Sequence, residues 1–130
     1  MLQLLRPALS PRLAQPLFAF TALVIGYLAL TPTPPKVADL GWDKLNHLSA
    51  FCTLMLLAGL AWPRHQRRAA VGLLAYGGLI EVLQTQVPGR SAEWADLLAD
   101  AVGLLLALAL RQMVSRLRAR LRGLSASQTR

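Results

Sequence analysis

Eight residues in three short groups hold most of the side chains in this sequence that could do chemistry: Asp43, Lys44 and His47; Glu81, Gln84 and Arg90; Asp96 and Asp100. Asp43 and His47 are one helical turn apart, as are Asp96 and Asp100, so each pair falls on one face of a helix. Carboxylates beside ammonium, guanidinium and imidazole groups can form ion pairs or pass protons. Once burial moves a carboxyl towards neutrality, it can also serve as a general acid or base. His47, Glu81 and the two aspartates leave an oxygen-rich metal site open, but no fixed ligand spacing supports one, and neither a metal nor a cofactor is expected. There is no P-loop, paired-cysteine motif or nucleophile elbow, and Ser91 has no recognisable activating partner, so no catalytic residue is assigned. Cys52 is the single cysteine and has no partner for an intramolecular disulfide. His65, in a basic stretch, reads as solvated.

The elements that must position these groups are apolar runs. Of the 130 residues, 55% are apolar before the nine glycines are counted, and 15% are charged, against about 25% charged in an ordinary soluble domain. Leu13 to Leu30 is 18 residues without a charge, Leu45 to Trp62 is 18 and Ala69 to Val87 is 19, each of the latter two with few polar interruptions. Ala95 to Leu110 is a shorter fourth run that contains Asp96 and Asp100. A hydrocarbon core of about 30 Å needs roughly 17–25 helical residues. The sequence therefore predicts an all-α, membrane-spanning bundle of four helices, over 13–30, 45–62, 69–87 and 95–113, followed by a basic tail over 114–130. The whole of 1–130 reads as one domain. The first run is expected to be a retained helix and not a cleaved signal, because it ends Tyr27-Leu28-Ala29-Leu30 and passes directly into Pro32, Pro34 and Pro35.

Net charge is +8, and the positions of the basic residues speak for membrane topology and against nucleic acid. Eleven of the fourteen precede the first run, join the second to the third, or follow the fourth; only Lys36, Lys44 and Arg90 fall elsewhere. The positive-inside rule then predicts that both termini are cytoplasmic. Trp42, Trp62 and Trp94 all flank runs, where indoles collect at the membrane interface. After Leu110, Val114, Leu117, Leu121 and Leu124 share a face between arginines, as in an amphipathic extension lying at an anionic leaflet.

All six acidic residues fall outside the membrane or in its outer half on this topology. From the predicted helix ends, Glu81 and Asp100 lie about 8–9 Å inside the outer boundary at 1.5 Å per residue. Asp96, Ala99, Asp100, Gly103 and Ala107 occupy one arc of the fourth helix; Gly77, Gly78, Glu81 and Gln84 form a stripe on the third. Gly77, Gly78, Ala99, Gly103 and Ala107 are the expected close-packing positions. Charges at bilayer depth face inward and find partners, so Lys44 is expected to pair with Glu81 or Asp96, and Arg90 with Asp96 or Asp100.

The ordered set Asp43-Lys44-Leu45-Asn46-His47, then Glu81-x-x-Gln84-x-x-x-Pro88-x-Arg90, then Asp96-x-x-x-Asp100-x-x-Gly103 resembles the VanZ-like family of bacterial membrane proteins. The resemblance spans about residues 42 to 104. It departs from the family pattern where Asp100 replaces a usual asparagine and where Phe51 lies near a tyrosine-like position. It implies a multi-pass protein of the bacterial cytoplasmic (inner) membrane, in a family named for a protein associated with resistance to teicoplanin. The expected function is an outward-facing polar pocket that binds a cell-envelope lipid, a wall precursor or a lipoglycopeptide-like ligand, with Lys44 and Arg90 on an anionic group. Two alternatives stay open: an intramembrane enzyme acting on a lipid-linked phosphate or sugar, and a structural or assembly subunit. Expected partners are membrane lipids and no nucleic acid; a second copy or another membrane protein is open.

The topology is testable by labelling single cysteines in intact cells, in a Cys52→Ala background, with an impermeant thiol reagent. A probe at Ser91 should react and one at Gln66 should not; the reverse result inverts the orientation.

Overall fold

The computed structural model describes residues 9–33 and 42–127, with side chains as far as Leu124. Arg6, Lys36, Asp39 and Arg130, which entered the charge reading, lie outside the described residues. Four helices follow in order: α1 (Pro11–Ala29), α2 (Asp43–Ala61), α3 (Gln66–Gln84) and α4 (Trp94–Ser127). There is no strand among the described residues.

The helix ends follow from local chemistry. Pro11 occupies the first turn of α1, where its missing N–H costs nothing. The predicted third span, 69–87, is displaced: α3 begins at Gln66 and ends at Gln84. Arg67 and Arg68 are good helix formers and extend its start. At the other end Val87 precedes Pro88 and is biased away from helical geometry, and the chain tightens through Gln86 N–H to Leu83 O and Val87 N–H to Gln84 O, both 3.0 Å. Glu81 is therefore only one turn from the end of its helix, shallower than the sequence suggests. Gly89, at φ 78°, makes the turn towards α4 in a conformation that favours glycine. The tail predicted over 114–130 is no separate element: α4 continues unbroken to Ser127. Its 34 residues reach about 51 Å, so its arginine-rich half extends beyond a hydrocarbon layer of about 30 Å.

Three of the helices, α1, α2 and α4, are long and apolar enough to cross a membrane. The sequence expects the third run to qualify outright and the fourth to be short. Instead α3 takes in Arg67, Arg68 and Glu81, while α4 gains length. Even so, α3 turns Val71, Leu79 and Val82 outward, an exposed apolar face like that of Leu23 and Phe20 on α1 or Leu105 on α4.

Successive helices run antiparallel, and hydrogen bonds define two ends. At one, the Gln15 amide reaches Ala61 O at 3.5 Å and the Arg111 guanidinium donates to Gly59 O at 2.8 Å. At the other, Gln84 Nε2 donates to Ala29 O at 3.1 Å and Arg90 donates to Leu28 O and Thr31 O, both at 3.3 Å. The described acidic residues gather at the second end. Arg12, Arg64, Arg67, Arg68 and Arg111 belong to the first.

The centre is the seam between α2 and α4, with α3 closing one side. His47, Phe51, Leu54, Met55 and Ala58 form the buried face of α2; Asp96, Ala99, Asp100, Leu104 and Ala107 form that of α4. Lipid competes for apolar side chains as well as protein does, so close backbone approach carries much of the association. Gly103 allows it, since a Cβ there would strike Leu48 O, with Cys52 N at 3.0 Å. Gly78 differs from the packing role expected of it: a Cβ on it would meet no described atom within 4 Å. Phe51, Leu73, Ile80 and Leu104 fill the rest of the core.

Because the obstacle at Gly103 is main chain, Gly103→Ala should destabilise the bundle by about 1–3 kcal/mol, the usual cost of overpacking. Unfolding in a mixed-detergent titration measures this; an unchanged midpoint would mean that α2 and α4 are less closely engaged than described.

Candidate functional site

At the acidic end the three sequence groups converge. The helix face that buries Phe51 and Met55 also carries His47 one turn earlier, and the α4 seam carries Asp96 and Asp100 opposite it. Asp96 is 1% and Asp100 0% exposed. His47 Nδ1 lies 2.9 Å from Asp100 Oδ1, within hydrogen-bonding distance. His47 Nε2 faces Glu81 Oε1 at 4.0 Å, so the imidazole stands between two carboxylates. The other Glu81 oxygen, Oε2, accepts the backbone N–H of Glu93 at 2.8 Å, which ties α3 to the loop before α4.

Nearer the rim, Lys44 Nζ lies 2.5 Å from Glu93 Oε2 and 3.0 Å from Asp96 Oδ1. The expected Lys44–Asp96 pair therefore forms. Glu93, absent from the sequence-derived site, completes it. The only sequence hint was its position three residues before Asp96, one turn earlier on the approach to α4. The Lys44 ammonium holds the Glu93 carboxyl below its usual range.

Arg90 departs from its expected pairing with Asp96 or Asp100. Its nearest carboxylate is Asp43, with Arg90 Nη1 at 3.8 Å from Asp43 Oδ1, and its remaining donors reach Leu28 O in the last turn of α1 and Thr31 O just beyond it. Cations favour helix C-termini, where unpaired carbonyls carry partial negative charge. Gln84 adds a further bond to the same terminus through Ala29 O.

Gly77 makes room for the inner carboxylate, since a Cβ there would run into Asp100 Oδ2 and approach Phe51 Cζ to 3.2 Å. Asp100 Oδ2, Glu81 Oε1 and Gln84 Oε1 are buried with no hydrogen-bond partner among the described residues. Asp43, His47 and Asp96 bring one ligand-type atom each within 4.8 Å of one another. The Lys44 ammonium already stands against Asp96 there.

An all-helical bundle in which three helices are long and apolar enough to cross a membrane, with a buried His–carboxylate cluster at one end, defines a membrane protein. Within that class, the VanZ/LLP1 family model matches residues 9–115, and the chain belongs to this family. The match takes in α1 and Arg111 as well as the residues that carried the sequence resemblance. No curated protein and no solved structure matches the chain.

The adjacent glycines of α3 should respond in opposite ways. Gly77→Ala displaces Asp100 and should cost about 1–3 kcal/mol, whereas Gly78→Ala meets open space and should be neutral or slightly stabilising through helix propensity. Equal effects of the two in detergent unfolding would contradict the packing of Gly77 on Asp100.

Proposed function

We propose that this VanZ/LLP1 protein is a multi-pass protein of the bacterial inner membrane whose acidic end faces outward and binds an amine-bearing cell-envelope ligand, either a lipid-linked wall precursor or a lipoglycopeptide-like molecule. The observation behind this reading is a charge imbalance. Among the described residues, Asp43, Glu81, Glu93, Asp96 and Asp100 gather around two permanent cations, Lys44 and Arg90, both already engaged by protein groups. The sequence-based idea that these cations take an anionic group therefore gives way to one in which surplus carboxylate attracts a cation. Glu93 and Asp43, both exposed, meet the ligand first, and further in Glu81 Oε1 is a buried acceptor without a partner among the described residues. The outward orientation rests on the collection of arginines at the opposite end.

One distance favours a second reading. His47 bridges Asp100 and Glu81, an arrangement suited to general acid–base chemistry on a lipid-linked phosphate or sugar. The two readings separate in one experiment, in which protein in nanodiscs is titrated with a lipid-linked stem peptide carrying a free lysine amine, and with its N-acetylated form, which lacks the charge. Tighter binding of the free amine, weakened at least about tenfold by Glu81→Gln or Asp96→Asn, is the expected result. Equal binding of both forms ends the amine reading, and lipid turnover lost in His47→Gln would establish the enzymatic one.

A further inference from the structure

A second concavity lies at the opposite, basic end. Between α1 and α3, below the point where the Tyr76 hydroxyl donates to Ala22 O at 2.6 Å, the two helices separate and leave a groove of about 410 Å³. That volume falls within the roughly 300–1,000 Å³ of small-molecule sites. Its walls are apolar: Phe18 and Ala22 from α1, and Leu73 and the Tyr76 ring from α3. Trp62, after the end of α2, closes it by packing edge-on against Phe18, with ring centroids 5.2 Å apart.

The mouth is chemically different. Arg68 and His65 line it, with Arg64 and Arg67 adjacent in sequence. Arg68, Gly72 and Tyr76 succeed one another at four-residue spacing on α3, so the groove runs from a guanidinium to a phenol over about 12 Å. Gly72 lines the groove between them, and a Cβ on it would meet no described atom within 4 Å. An apolar slot of nearly leaflet depth, opening beside a cluster of arginines at the membrane boundary, matches one kind of molecule in both shape and charge.

We propose that this groove seats one acyl chain of an anionic phospholipid from the leaflet on the basic side, with the lipid phosphate held by Arg68. The site is separate from the acidic cluster and independent of the function assigned to it. Arginine suits the phosphate because its planar fork donates two bonds at once, and the apolar walls give the lipid a fixed seat that arginines alone would not.

Trp62 provides the readout. In full-length protein carrying Trp42→Phe and Trp94→Phe, reconstituted in phosphatidylcholine vesicles, Trp62 is the remaining indole. Phosphatidylglycerol brominated on its acyl chains should quench it at lower mole fraction than brominated phosphatidylcholine, by about fivefold, the equivalent of about 1 kcal/mol for one arginine at an anionic surface. Arg68→Gln should remove this preference. Gly72→Leu should fill the groove and reduce quenching by both lipids, and because its side chain enters open space it should retain wild-type helix content by circular dichroism. Equal quenching by the two lipids overturns the proposal. So does a phosphatidylglycerol preference that survives Gly72→Leu, which would place the lipid on the arginines generally and outside the groove.

Discussion

Two aspartates one turn apart on α4, both fully enclosed, set the terms for the rest of the molecule. Carboxylates in a helix surrounded by lipid cannot be satisfied by solvent, and each must be met by a donor from a neighbouring helix. Lys44 meets Asp96 and His47 meets Asp100, both from one turn of α2. This fixes the rotation of α2 about its axis, and with it the burial of Phe51, Met55 and Ala58 below. Gly103 follows on the same face of α4 and lets the two backbones close. The acidic residues therefore act first as determinants of packing, and only the imbalance that remains after pairing is free for a ligand.

Much of this arrangement is visible in the residue order. The apolar runs locate four helices, the spacing of Asp96, Ala99, Asp100, Gly103 and Ala107 identifies the buried face of α4, and Lys44–Asp96 is one of two pairings that depth and charge allow. What escapes is the part decided by turns. Glu93 reaches Lys44 and the Glu81 carboxylate because the Pro88–Glu93 connection is tight enough to bring its backbone over the end of α3, and helical periodicity says nothing of such a connection. Arg90 is diverted from the aspartates by the exposed carbonyls that end α1, acceptors that carry no side-chain signature. Gly77 and Gly78 are indistinguishable by composition, yet one lies on a carboxylate and the other on open space.

Arg111 shows the same limit from the other side. In the sequence it is one of many arginines that mark an inner boundary, but in the fold it folds back against Gly59, which has no side chain to obstruct it, and donates to the Gly59 carbonyl. A residue can therefore contribute to topology through its charge and to tertiary structure through its geometry, and only the first contribution can be read from the distribution of charges.

Asp100 and Arg111 attach α4 to α2 at two heights, eleven residues or about 16 Å apart. A rod fastened at two levels cannot slide along its neighbour like a piston without releasing both fastenings together. It can still tilt or flex outside them. Motion of α4 against α2 is thereby confined to the arginine-bearing half that continues past Arg111 to Ser127.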